Sequence, residues 1–226
     1  QQMRSNPHTA FNLANLLDEL RRPCVGALLL IRLFYSFAFT LFQSNFSLYA
    51  KEVLKLDVQA TGLVLTYVGL LSVLVQGLAI GRLTKAFKER QLIMAATIML
   101  TAGLLIWGFT TTVWLLLVIM LPTALGAGLL NTLLTSQLTK AVYKEDVGGT
   151  LGLANSMQTI AQIATPGMGG LILSFSGPWL LGITSSVFMI LALVTMFGPR
   201  VRHADLDNES PCYQKPGTGQ VPQPGM

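Results

Sequence analysis

Charged residues are scarce in this chain, and they are missing from most of its length. Only 11% of the 226 residues are Asp, Glu, Lys or Arg, whereas a soluble domain carries about 25%. Neither histidine and none of the ten acidic residues lies inside the apolar runs that fill residues 24 to 197. Without acids, histidines or a nucleophile beside a base, these runs supply neither a proton relay nor a metal site. The sequence therefore predicts no enzyme, no cofactor and no metal.

Cysteine is also scarce, and a leader sequence is not recognisable. Cys24 and Cys212 stand near opposite ends of the chain, so they indicate neither a disulfide framework nor a metal site. The chain begins with Gln1 and shows no signal peptide, which favours a piece of a longer protein. The net charge is +5, but no basic patch has interleaved aromatic residues, so nucleic acid is not expected as a partner.

Apolar residues dominate what remains. Hydrophobic residues make up 52% of the chain, and the mean hydropathy is +0.58. Roughly 20 apolar residues in a helix cross the hydrocarbon core of a bilayer, and only helices or closed barrels satisfy backbone polar groups there. The sequence thus predicts an all-α, polytopic membrane protein with six transmembrane helices in a lipid bilayer. The predicted spans cover residues 24–49, 62–80, 92–109, 113–136, 152–175 and 179–197.

The polar ends flank one predicted transmembrane bundle, which covers residues 24–198. Residues 1–23 are too few for a folded domain and are interpreted as a cytoplasmic linker. Residues 199–226 are rich in proline, glycine and charge, a composition typical of disorder, and are interpreted as a disordered cytoplasmic tail.

The basic residues predict the orientation of the spans. With six spans, both termini lie on one side of the membrane, and that side holds twelve lysines and arginines. The other side holds only Lys51 and Lys55, and Arg32 lies within a span, which accounts for all 15. Cytoplasmic loops carry the excess of Lys and Arg, so both termini are predicted to be cytoplasmic.

A polar stripe runs along the first span. Its members follow one another at steps of four, four, three and four residues, which places them on one helical face: Arg32, Ser36, Thr40, Gln43 and Ser47. Arg32 is the only charged residue inside a predicted span, and such a charge is a hypothesis of function by default. It either meets an anionic substrate group or a partner carboxylate, or it reaches back to the headgroups by snorkelling.

Amides, glycines and prolines interrupt the fourth and fifth spans. Asn155, Gln158 and Gln162 share one face of the fifth span, which indicates either a solute-facing surface or hydrogen bonds between helices. Proline bends a helix and glycine permits close helix contact. Five residues are therefore predicted as hinge or packing sites: Pro122, Gly126, Pro166, Gly169 and Gly170.

Tryptophan is expected at the membrane interface. Trp107, Trp114 and Trp179 lie near the non-cytoplasmic ends of their predicted spans, where aromatic belts form. These tryptophans are predicted to have a structural role rather than a role in binding or catalysis.

Two stretches carry a family resemblance. Residues 81–90 read GRLTKAFKER, which resembles the second copy of the major facilitator superfamily loop motif, roughly G-x-L-x-D-R-x-G-R-K. Gly81, Leu83 and Arg90 match the motif, whereas Lys85, Lys88 and Glu89 replace the usual Asp, Gly and Arg. Residues 145–170, EDVGGTLGLANSMQTIAQIATPGMGG, are similar to the eleventh helix of that family.

The resemblance implies the C-terminal six-helix half of a twelve-helix transporter, with the six spans as helices seven to twelve. The branch is similar to drug/proton antiporters and to uncharacterised domain-containing carriers of animals. The implied partners are the N-terminal half of the same carrier, a small-molecule substrate and an ion or proton. The substrate then lies between the two halves near the midplane and is moved by alternating access. The predicted substrate-binding residues are Arg32, Ser36, Gln43, Asn131, Asn155 and Gln158.

Two other functions remain open at this point. The chain is alternatively a truncated, non-transporting membrane protein that associates with a partner or dimerises through its exposed cavity face. A six-helix channel is the second alternative, but the sequence has no filter-like loop between spans.

Overall fold

The computed structural model describes residues 25–142 and 147–197, and every regular element in those ranges is helical. The helices, in chain order, are α1 (Val25–Glu52), α2 (Val58–Leu74), α3 (Ile80–Ala86), α4 (Glu89–Gly108), α5 (Val113–Ala141), α6 (Val147–Ser176) and α7 (Trp179–Phe197). A π-helical turn, Val75–Ala79, joins α2 to α3, so these two elements form one crossing. The predicted six-helix, all-α architecture is confirmed.

The six crossings differ in how well their length and hydropathy suit a membrane-spanning helix. Five of the described crossings combine sufficient length with high hydropathy, namely α1, α2 with α3, α4, α5 and α7. The remaining helix, α6, is 30 residues long, but it contains Asn155, Gln158 and Gln162, which lower its apolarity. The polar helix needs protein or water beside its amides, because lipid does not satisfy them.

The connections are shorter than predicted. The sequence predicted a charged loop over residues 81–90, and this prediction is wrong, since α3 continues to Ala86 and α4 begins at Glu89. No proline interrupts the segment, so the backbone stays helical where the charges leave the hydrocarbon. The loop before α2 is also shorter, because the side chain of Asp57 caps α2 by accepting a 2.8 Å hydrogen bond from the Ala60 amide.

The first helix, α1, holds the bundle together. It packs along α6 and α7, while α4 packs along α5 and α7. The helix α2 contacts the other helices mainly through α5 and leaves large apolar side chains exposed, including Leu63, Leu70 and Val73.

Helices α4 and α7 come into direct backbone contact at one pair of glycines. A methyl carbon added at Gly108 would lie 2.8 Å from the Cα of Gly182 and 2.9 Å from the carbonyl oxygen of Trp179. The chain reaches this position through a tight turn in which Gly177 has a φ of +88°, a conformation that glycine adopts at little cost.

The predicted tryptophan belt is only partly correct. Trp114 is 82% exposed, as expected at an interface, but Trp107 is fully buried and the prediction for it is wrong. Its ring centroid lies 4.9 Å from that of Phe42 and 4.5 Å from that of Tyr49. The Tyr49 hydroxyl also donates to the Trp107 carbonyl at 2.9 Å, so this residue joins α1 to α4.

The predicted linker, residues 1–23, and the predicted tail, residues 199–226, lie outside the described residues. Cys24, Cys212 and residues 143–146 do as well.

Candidate functional site

A cavity of about 180 Å³ lies between α1, α2 and α5. Its wall combines aromatic, aliphatic and uncharged polar side chains. The lining residues are Tyr35, Phe39, Phe42, Gln43, Val68, Ser72, Gln76, Met120, Thr123, Ala124, Ala127, Gly128 and Asn131. A cavity with an apolar wall and a few polar groups is the usual form of a small-molecule site.

The aromatic face of α1, rather than its polar stripe, forms most of the α1 side of the cavity. Tyr35, Phe39 and Phe42 follow one another at helical spacing on this face. The stripe that begins at Arg32 lies roughly a quarter of a turn away at 3.6 residues per turn. Only Gln43 belongs to the stripe and also lines the cavity, because it stands at the border of the two faces.

The α2 side of the cavity includes an irregular backbone segment. Ser72 lies in the last turn of α2, and Gln76 lies in the π-helical turn that follows. Such turns occur mostly as single insertions in α-helices and are frequent at functional sites. Here the turn places the exposed amide of Gln76 on the cavity wall.

Arg32 lies one helical turn from the cavity and connects three helices. Its Nη1 donates to the Thr135 hydroxyl of α5 at 2.9 Å, and its Nη2 donates to the Gln158 side-chain oxygen of α6 at 3.4 Å. The residue is 6% exposed. The side chain therefore turns into the bundle. The snorkelling interpretation requires it to extend toward the headgroups instead.

The six predicted substrate-binding residues do not form a single cluster. Gln43 and Asn131 line the cavity. Arg32 and Gln158 are hydrogen-bonded to each other beyond its end. Ser36 is buried on α1, and Asn155 is exposed on α6. Neither residue lines the cavity.

The predicted hinge or packing residues have different surroundings. A methyl carbon at Gly126 would lie 3.0 Å from the Ala96 carbonyl oxygen, so this glycine lets α5 pack on α4. Gly169 lies against the side chain of Asn45, whereas Gly170 faces open space. Both α5 and α6 continue as helices through their prolines, Pro122 and Pro166.

The residues of the loop motif lie at helix ends. Gly81 is exposed in α3, and Leu83 and Arg90 are half-buried. The neighbouring Glu89 accepts a 2.7 Å bond from Lys140 of α5, and it also accepts a hydrogen bond from the Gln137 amide. The charged residues here connect α4 to α5.

Sequence reasoning missed Tyr35, Phe39, Ser72 of α2 and Gln76 of the π-helical turn as cavity residues. Aromatic residues in an apolar helix carry no signal that separates a cavity wall from a lipid-facing surface. The Tyr35 hydroxyl donates to the Ala127 carbonyl of α5 at 3.1 Å, a pairing of residues 92 positions apart. A π-helical turn likewise has no sequence signature.

Comparisons with known proteins identify the family. The sequence profile of the Major Facilitator Superfamily matches residues 28–212. The chain belongs to the major facilitator superfamily. The resemblance carried by residues 81–90 and 145–170 is thus confirmed at the level of the family.

Two relatives are solute carriers. Solute carrier family 22 member 18 of Rattus norvegicus is 26% identical over 189 residues, which cover 84% of this chain and 46% of that protein. Solute carrier family 67 member A1 of Homo sapiens is also 26% identical, over 84% of this chain and 45% of its own length. The chain therefore spans about half the length of these relatives.

The fold is similar to that of a solved transporter. The POT family transporter PepTSo, known from an in meso crystal structure, superimposes with a TM-score of 0.67 at 13% identity, over 88% of this chain and 39% of that one. At this identity the likeness shows the fold alone. The family is one of multi-pass membrane transporters.

Proposed function

We propose that this chain is the C-terminal six-helix half of a secondary active carrier that moves a small solute by alternating access. The observation that carries the proposal is the cavity between α1, α2 and α5 in a member of the major facilitator superfamily. Carriers of this family bind their substrates near the bilayer midplane, between two six-helix halves. The cavity lies midway along α1 and α5, at the depth that such a site requires.

The charge distribution supports the orientation in this proposal. Residues 1–23 form the end of a cytoplasmic linker, 24–198 form the bundle and 199–226 form a cytoplasmic tail. The start of α4 and the end of α5 lie together, because Lys140 pairs with Glu89. Positively charged residues concentrate on this face, so it is cytoplasmic by the positive-inside rule.

Accessibility of one cavity residue to thiol reagents tests the transport mechanism. In the full-length carrier with Cys24 and Cys212 replaced by serine, Asn131→Cys should react with a membrane-impermeant maleimide from either side of the membrane. Across a pH series, the ratio of the two reaction rates should change, because opening one side closes the other, whereas thiolate formation speeds the reaction equally from both sides. Leu130→Cys is the matched control, since Leu130 is the fully buried neighbour of exposed Asn131, and it should stay unlabelled.

Two results would contradict alternating access. Reaction from one side only, at every pH, favours the non-transporting protein. A ratio of the two rates that stays constant while both sides react favours a channel that is open to both sides at once.

Co-purification tests the assignment as a half carrier. A tagged copy of this chain, expressed together with the separate six-helix segment that precedes it in the full-length protein, should purify as a one-to-one complex. The exposed apolar residues of α2, including Leu63 and Val73, support such an association. A stable homodimer that excludes the second segment would favour the truncated, self-associating alternative instead.

A further inference from the structure

Arg32 is a buried cation whose partners are both neutral. Its guanidinium donates to the hydroxyl of Thr135 and to the amide oxygen of Gln158. The carboxylate of Glu89 pairs with Lys140 at the helix ends, away from Arg32. Within residues 25–142 and 147–197, no carboxylate pairs with Arg32. A charge removed from water needs an opposite charge or several strong hydrogen bonds, so this site is incompletely neutralised.

The unfilled positions of Arg32 lie on one edge of its guanidinium. The Nε atom is buried and has no hydrogen-bond partner, and the Nη2 bond to Gln158 is long at 3.4 Å. The Nε and Nη2 hydrogens point the same way and form the edge that a carboxylate engages with two parallel bonds. The better-formed bond, from Nη1 to Thr135 at 2.9 Å, lies off this edge, which is engaged only by the long bond to Gln158.

Arg32 and its partner Thr135 each lie one helical turn from a residue that lines the cavity. On α5, Thr135 donates to the carbonyl of Asn131 at 2.8 Å, and Asn131 lines the cavity. On α1, Tyr35 follows Arg32 by one turn and also lines the cavity. One helical turn rises about 5.4 Å, so the guanidinium lies within reach of a ligand of moderate length that occupies the cavity.

The cavity beside this cation has a largely apolar wall. Tyr35, Phe39, Phe42 and Met120 contribute aromatic and thioether surface. Such a wall suits the hydrocarbon part of a ligand. A single guanidinium compensates a single negative charge, which favours a monoanion over a phosphate or another dianion.

We infer that Arg32 binds the carboxylate of an amphiphilic organic monoanion whose apolar body lies along Tyr35, Phe39 and Met120. This inference rests on the proposed transport function and adds the chemical class of the substrate. The carboxylate takes the Nε and Nη2 edge and displaces the weak bond to Gln158, while Thr135 keeps Nη1 in place.

Three ligands with one carbon skeleton test the inference on the full-length carrier. They are 4-phenylbutyrate, 4-phenyl-1-butanol and 4-phenylbutylamine, which differ in charge but share the phenyl group and the chain. Affinities for the purified protein in nanodiscs are measured by thermal stabilisation and by competition with radiolabelled 4-phenylbutyrate. The anion should bind at least tenfold more tightly than the alcohol. The amine should bind weakest, because its charge repels Arg32.

Variants of Arg32 test the residue itself. Arg32→Gln should weaken 4-phenylbutyrate binding at least tenfold and leave 4-phenyl-1-butanol binding unchanged. Arg32→Lys should retain part of the preference for the anion, because it keeps the charge but not the two-bond geometry. The control Arg82→Gln removes an exposed arginine of α3 and should change nothing.

Each remaining outcome contradicts a defined part of the account. Equal binding of the three ligands by the wild-type protein, or full 4-phenylbutyrate affinity in folded Arg32→Gln, overturns the anion site while the transport function stands. If Arg32→Gln does not fold, the ranking of the three ligands by the wild-type protein still tests the anion site. Absence of binding by all three ligands, together with one-sided labelling of Asn131→Cys, overturns both the anion site and the transport function.

Discussion

The Nζ of Lys140 lies 2.7 Å from Oε1 of Glu89, and this ion pair joins the last turn of α5 to the first turn of α4. Glu89 occupies the motif position at which the family usually has arginine. The substitution places a negative charge at the N-terminus of α4, where the helix dipole favours it. The same carboxylate accepts a hydrogen bond from Gln137, which is 4% exposed.

Removal of Glu89 should therefore destabilise the protein more than removal of Lys140. Lys140→Ala should cost less than about 1 kcal/mol, because exposed ion pairs contribute little. Glu89→Ala should cost about 1–3 kcal/mol, because a hydrogen bond from the buried Gln137 amide to a charged group is also lost. Thermal unfolding in detergent should rank the variants in this order, with exposed Lys51→Ala as a neutral control. Equal losses for Glu89→Ala and Lys140→Ala would show that the Gln137 contact contributes nothing.

The glycine contact between α4 and α7 predicts a large difference between two similar substitutions. Gly182→Ala places a methyl group against the backbone of Gly108, and overpacking of this kind costs about 1–3 kcal/mol. Gly152→Ala on α6 adds a methyl group in open space and should leave stability unchanged or raise it slightly. Unfolding midpoints of the two variants measure the difference. Tolerance of Gly182→Ala would mean that α4 and α7 separate more readily than the structure indicates.

The amide face of α6 should be accessible to water. In a background without native cysteines, Asn155→Cys and Gln162→Cys should react with water-soluble thiol reagents, because both residues are exposed. Gln158→Cys should react more slowly, since Gln158 is half-buried and bonded to Arg32. Ala161→Cys serves as the buried control. Silence at all three amide positions would place this face against lipid or protein rather than along a solute pathway.

The helices themselves followed from the sequence, because long apolar segments have one solution in a bilayer. The ends of the helices did not follow as well. The helix α3 continues through Arg82, and α5 continues to Ala141, since helical hydrogen bonding does not stop where the hydrocarbon ends. Apolar residues indicate which part of the chain lies in the membrane, whereas capping residues such as Asp57 indicate where a helix begins.

The site was less predictable than the fold. Helical spacing identified Arg32 and Gln43 as polar residues that face other helices, and Asn131 was predicted to bind substrate. The structure places Gln43 and Asn131 in the cavity wall and Arg32 beside it. Spacing alone did not show that Tyr35 and Phe39 face the cavity or that Trp107 is buried. These positions depend on which helices are neighbours, and that information is absent from the period of a single helix.

Two distances measured together test the transport account most directly. Spin labels at Lys55→Cys, beyond the end of α1, and at Arg82→Cys, in α3, should each be paired with a cysteine on the same membrane face of the preceding six-helix segment. Alternating access predicts two populations for each pair and opposite shifts, so that the distance on one face lengthens as the distance on the other shortens across a pH series. A single, unchanged distance for both pairs would contradict the account.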